Sequence, residues 1–93
     1  MALAVRIVTT RAIAFEGTAK SVNAPGEEGD FGVLPHHIAL LATLRPGTLT
    51  VAGIEGGVGE ARKSWKIGLG FAEAGPDRVT ILTESCEELL PQG

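Results

Sequence analysis

Pro25-Gly26-Glu27-Glu28-Gly29-Asp30-Phe31-Gly32-Val33-Leu34-Pro35-His36-His37 joins a turn, an acidic loop, a short apolar strand and a second turn within a few residues. Pro25-Gly26 opens it, because proline presets φ and glycine tolerates positive φ. Glu27, Glu28 and Asp30 crowd three carboxylates around Gly29, with no Lys or Arg inside the run. Unpaired carboxylates are too costly to bury, so this tip faces water or a polar partner. Phe31 to Leu34 is apolar enough to re-enter a core, and Pro35 stops it. The shape expected is a carboxylate-tipped loop held at both ends, suited to docking.

Outward from this stretch, apolar residues recur with period two rather than 3.6. Leu3, Val5 and Ile7 alternate with Ala4 and Arg6, Leu49 and Val51 with Thr48 and Thr50, and Val79 and Ile81 with Arg78 and Thr80. Trp65, Ile67, Leu69 and Phe71 form the longest one-sided stripe, which predicts a core place for Trp65. Glu73 falls on the same parity, so either a bulge at Gly70 turns it outward or a buried cation meets it. Leu82 breaks the last alternation and hints at burial on both faces or a covered outer surface. Pro25-Gly26, Pro35, Pro46-Gly47, Gly56-Gly57 and Gly75-Pro76-Asp77 punctuate these runs at short intervals. Strands are predicted near 3–9, 13–23, 31–34, 38–44, 47–54, 61–69, 70–75 and 78–84, with 38–44 alternatively a helical turn. Sheets with one apolar face must cover it, so the fold class expected is all-β, an antiparallel sandwich or flattened barrel of about eight to ten short strands. Glu87-Glu88-Leu89-Leu90 could begin a helix, which Pro91 and Gly93 would end at once.

Composition narrows the function. Ninety-three residues make one domain, able to bury roughly two-thirds of the unfolded chain's surface. The net charge of −3 has the wrong sign for nucleic acid, and no basic stripe offsets it. Cys86 is the single cysteine, so no internal disulfide forms and a reducing compartment fits; an inert thiol is expected. Met1 to Val5 is too short for the apolar core of a signal peptide and Arg6 interrupts it. No apolar run approaches the ~20 residues of a membrane span.

The candidate sites each have a plain structural reading. His36 and His37 would point to opposite faces if extended, and no Cys/His spacing completes a metal site. Gly68-Leu69-Gly70 lacks the third glycine and following helix of a dinucleotide fingerprint. Gly26 to Gly32 lacks the Lys-Ser/Thr of a phosphate loop, and its carboxylates would repel phosphate. An EF-hand spacing is absent. The expectation is no catalytic, metal or cofactor site.

The opening stretch closely resembles the signature loop of the epsilon subunit of F-type ATP synthases, P-G-x-x-G-E-x-G-x-x-P-G-H. Arg6-Ile7-Val8-Thr9 with Phe15-Glu16-Gly17 is similar to that family's opening strands. Leu40-Leu41 through Leu44-Arg45-Pro46-Gly47-Thr48-Leu49 is similar to its L-L-x-x-L-x-P-G-x-L segment. Gly70-Phe71-Ala72-Glu73 and Asp77-Arg78-Val79-Thr80-Ile81-Leu82 resemble its G-F-x-E turn and last sandwich strand. The likeness runs from about Leu3 to Ser85. It departs at His36 and Leu69, where the family has glycine, and at Ala39, where proline is usual.

The resemblance is to the N-terminal β-sandwich without the C-terminal helical hairpin, and it implies residues 1–85 as that domain and 86–93 as a short frayed tail. It implies a non-catalytic central-stalk subunit of a proton-translocating enzyme, coupling rotation of the c-ring to the gamma subunit and so to ATP synthesis. The partners implied are gamma and the c-ring, on the cytoplasmic side of a bacterial inner membrane, with membrane association only through the complex. Glu27, Glu28, Gly29 and Asp30 would meet the c-ring and His37 would lie near gamma. Two rivals remain: a stand-alone sandwich adaptor that pairs an edge strand with a peptide, and a small enzyme using His37 and Asp30.

Overall fold

Alternation is obeyed most cleanly in β1 (Leu3–Val8), where Leu3, Val5 and Ile7 are buried while Ala4 and Arg6 face out. The computed structural model describes residues 2–56 and 61–90, and in these every regular element is a strand. β2 (Ile13–Ala19), β3 (Ser21–Gly26), β4 (Gly29–Val33), β5 (Leu40–Leu44) and β6 (Gly47–Ala52) fill the first half. β7 (Arg62–Ile67), β8 (Gly70–Ala74), β9 (Arg78–Thr83) and β10 (Cys86–Leu89) fill the second. They hydrogen-bond in the order β10-β7-β6-β3-β5-β8-β9-β1-β2, with β4 attached to β3 beside this path. All pairs are antiparallel except β1 with β9.

The sheet curls until its two ends face each other. Phe15 on β2 meets Trp65 on β7 with ring centroids 5.2 Å apart and planes tilted by 57°, a favourable aromatic arrangement. Between the layers lie Trp65, Leu3, Ile7, Leu44, Leu49 and Ile81, all essentially inaccessible. The expected antiparallel sandwich, or flattened barrel, is the fold observed.

Several local expectations are corrected. The predicted strand 13–23 is two strands broken at Lys20, where the chain stops pairing with β1 and starts pairing with β6, turning the corner of the sandwich. Pro25-Gly26 is not a turn but the end of β3, and β4 starts at Gly29. Residues 40–44 are strand as expected, and the helical-turn alternative falls away. Cys86–Leu89, read from sequence as tail and possible helix start, add β10 to the edge of β7, opposite Ser64 to Ile67. Gly57 and residues 91–93 lie outside the described residues.

The Trp65–Phe71 stripe is also split. Trp65 and Ile67 are buried, but Leu69 and Phe71 are half exposed and Ala72 and Ala74 take the core. The link between β7 and β8 shifts parity by one residue. Gly70 is needed there because β9 passes so close that a Cβ would lie 2.0 Å from the Leu82 carbonyl oxygen. The buried Thr83 hydroxyl secures the link, lying 3.1 Å from the Leu69 carbonyl, 3.0 Å from that of Ser85 and 3.3 Å from that of Gly68. The shift carries Glu73 outward, although it arises in the link and not from a bulge at Gly70, which pairs in regular register with Thr83.

Candidate interaction surfaces

At the acidic tip, Gly26 and Gly29 face each other as the last ladder pair of β3 and β4, so Glu27 and Glu28 are a two-residue turn. Hairpins this tight need positive φ close to the turn, and Gly29 provides it at +133°. The base is stitched to its neighbours: the Glu27 N–H donates to the Thr43 carbonyl and the Arg45 N–H to the Pro25 carbonyl, both at 2.9 Å. Glu27, Glu28, Gly29 and Asp30 line one concavity of about 540 Å³ with Leu41 and Thr43. Glu27, Glu28 and Asp30 are exposed. The expectation that they lack an internal cation holds for the run itself but not for the fold. Arg45, in the β5–β6 link, donates from Nη2 to Asp30 Oδ1 at 2.5 Å.

His37 is not part of this site. It lies beyond the other end of β4, where the His37 N–H donates to the Leu34 carbonyl at 3.2 Å and closes a turn over Pro35-His36. Proline followed by a residue at positive φ is the signature of a type II turn, and His36 holds φ at +69°. A conformation that favours glycine is thus held here by a histidine. The His37 ring sits 2.5 Å from the Ile38 carbonyl through Nδ1, and His37 and Asp30 are not brought together. No group of three or more His, Cys, Asp or Glu placed to hold a metal occurs among the described residues.

A second surface was missed by the sequence reading. Thr43, Phe71, Leu82, Val8 and Ile13 are successive cross-strand partners on β5, β8, β9, β1 and β2, so they share one row on the outer face. Phe71 is 52% exposed and Leu82 49%, and with Leu69 they line a shallow apolar groove of about 520 Å³. The signal that could have found it was Leu82, whose apolar side chain interrupts the alternation. Leu82 is half exposed and not buried on both faces.

Cys86 packs partly against the core beside Ile67. Burial first, and the Glu88 carboxylate second, push its thiol above the ordinary range. Little thiolate is therefore available for chemistry.

The family model for the β-sandwich domain of the ATP synthase delta/epsilon chain matches residues 2–89. The chain belongs to this family. The match runs through Leu89 at the end of β10. An ATP synthase epsilon chain of Caulobacter vibrioides is 45% identical over 74 residues, covering 80% of this chain and 80% of that protein. Another, of Desulfatibacillum aliphaticivorans, is 44% identical over 81 residues, covering 87% of this chain. Only 55% of that relative is covered, so the chain spans little more than half its length. A chain of the cryo-EM structure of the Euglena gracilis mitochondrial ATP synthase, OSCP/F1/c-ring, shares the fold with a TM-score of 0.82 at 24% identity, over 94% of this chain and 53% of that one. A chain of the Tetrahymena thermophila central stalk/c-ring structure shares it with a TM-score of 0.72 at 17% identity, over 90% of this chain and 64% of that one. As a delta/epsilon β-sandwich, the domain offers two exposed surfaces of opposite chemistry, the acidic tip and the apolar row.

Proposed function

We propose that the chain serves as a non-catalytic rotor component of a proton-translocating F-type ATP synthase, passing rotation between the c-ring and the gamma subunit. The observation that carries this reading is the apolar row, in which Phe71 and Leu82 are cross-strand neighbours on one outer face and line a groove with Leu69. Full burial of a side chain such as Phe71 or Leu82 is worth about 1.5–3 kcal/mol, and the fold leaves half of that unrealised until a partner covers it. Gamma is the partner proposed for the row, with His37 as a second contact. The Glu27–Asp30 tip meets the c-ring, where carboxylates favour a polar, cationic surface.

A ten-stranded sheet curled on itself suits this mechanical role. A close-packed core has low compressibility and transmits displacement between its surfaces instead of absorbing it. Catalysis takes place on other subunits, and no cofactor is held here. Among the described residues no helix is long and apolar enough to cross a membrane. The proposed location is peripheral, on the cytoplasmic side of a bacterial inner membrane, with attachment through the complex.

The test is capture of purified gamma subunit and c-ring by the chain. Gamma capture that falls with Phe71→Thr and Leu82→Thr together, and c-ring association that falls with Glu28→Lys, is the expected result. Capture of neither by the parent chain would overturn the reading.

A further inference from the structure

The acidic tip hangs on a strand held from one side only. β4 pairs with β3 alone and lies beside the main strand path. β3 in turn touches β5 through one ladder pair, Gly26 with Leu44. Pro25, the ladder partner of Asp30, has no N–H to give. The Glu27 N–H, donating to the Thr43 carbonyl at 2.9 Å, ties the turn on its β3 side, but among the described residues no such backbone bond holds β4, which would sway unless something ties it to the body.

Arg45 makes that tie. Its backbone N–H holds the Pro25 carbonyl, and its guanidinium reaches past Pro25 to Asp30 Oδ1 at 2.5 Å. Among the described residues this is the one side-chain hydrogen bond that β4 makes. The pair joins residues fifteen apart in sequence and spans from β4, across β3, to the β5–β6 link. It also divides the carboxylates. Asp30 is engaged internally, whereas Glu27 and Glu28 occupy the turn itself with no cation beside them among the described residues.

We propose that Arg45 is a positioning residue for docking: by latching Asp30 it fixes the hairpin tip, so that Glu27 and Glu28 alone present free carboxylates to a cationic partner surface. This rests on the docking role given to the tip above. It assigns Asp30 a different part from its neighbours, holding the tip instead of touching the partner.

Charge alone and positioning make opposite kinetic predictions. Removing Arg45 makes the tip more negative, which steers a cationic partner in at least as fast. A loosened tip instead releases the partner sooner. The measurement is association and dissociation of the full chain on ATP synthase complex stripped of its own epsilon subunit, at low and moderate salt. Arg45→Met should raise the dissociation rate about two- to fivefold, the equivalent of one exposed ion pair, without slowing association. Arg45→Lys should recover part of the loss. The exchanged pair, Asp30→Arg with Arg45→Asp, should bind within about twofold of the parent because it rebuilds the tie, whereas Asp30→Arg alone should not.

Two outcomes overturn the latch while leaving the docking role in place. One is weak binding by the exchanged pair alongside weak binding by Glu28→Lys, which would put Asp30 itself against the partner. The other is parent-like kinetics for Arg45→Met while Glu28→Lys fails. Parent-like binding by Glu28→Lys is a separate result: it removes the tip from the interface, and the latch as a docking device goes with it. Thermal melts of each variant verify folding, which these exposed positions should leave intact.

Discussion

Trp65 and Ile67 lie buried between the layers; Leu69 and Phe71, the next two members of the same alternating stripe, stand half in solvent. By composition the two halves are indistinguishable. What separates them is a link of two residues, Gly68 and Leu69, that shifts parity before β8 begins. Alternation therefore specifies a face only within one strand. Across a link, the next strand takes whichever face its neighbours leave to it. Here β9 lies so close at Gly70 that small residues, Ala72 and Ala74, fill the core side and Phe71 is turned out. The inner half holds the fold together, and the outer half is left on the surface.

The sharpest test of the contrast is Trp65→Ala. Trp65 is 2% exposed and stacks near Phe15 across the layers, so truncation should cost about 3–5 kcal/mol. Denaturant midpoints would show it. A change below ~0.5 kcal/mol would mean that the inner half is no more buried in solution than the outer one.

The hinge between the halves comes next. Thr83→Val keeps the shape of the side chain but removes the hydroxyl that lies against the carbonyls of Leu69 and Ser85. Those carbonyls keep backbone partners, from the N–H groups of Glu84 and Gly68 respectively. The expected loss is thus modest for a buried hydroxyl, about 1–2 kcal/mol by chemical denaturation. A neutral result would show that the parity shift is held by backbone pairing alone.

Phe71→Thr addresses the outer half and should separate stability from association. Threonine retains the strand preference, and only the covered half of the ring is lost, so the isolated chain should lose no more than ~1 kcal/mol. Binding to gamma should weaken about fivefold, the equivalent of ~1 kcal/mol of uncovered apolar surface. Equal losses in melt and in binding would argue that Phe71 acts through the fold alone.

How much of this was legible in the sequence depends on the range of the interaction. Period-two alternation and turn residues are local, and they suffice for the all-β class and for most strands. The signature stretch marked the tip and the turn at His37, although it put the first turn at Pro25-Gly26, two residues early. β10 was missed because Cys86–Leu89 has no alternation to show: its residues are mostly exposed, and pairing with β7 is what makes it a strand. The Asp30–Arg45 tie and the Phe71–Leu82 row were missed for the same reason. The tie joins residues fifteen apart and the row brings Thr43 and Val8 to the Phe71–Leu82 pair, so strand order is what places them side by side.

The two glycine positions that other residues occupy give the finest comparison, because sequence treats them alike and the backbone does not. Leu69, in the link between the two halves, keeps negative φ, since His36 is the one non-glycine residue at positive φ among those described. At Leu69 a glycine would relieve nothing and would add freedom to the unfolded chain, so Leu69→Gly should destabilise by about 0.4–1 kcal/mol. At His36 the left-handed conformation costs an L-residue about 1–2 kcal/mol. His36→Gly removes that cost against the same unfolded-state loss, and the balance is a gain of about 0.5 kcal/mol. The same substitution should therefore move the melting midpoint in opposite directions at the two sites. Scanning calorimetry of both variants beside the parent would read it. Two shifts of the same sign would mean that the link at Leu69 and the turn at His36 share one backbone requirement, and that the parity shift depends on Leu69 and not on Gly70 and Thr83.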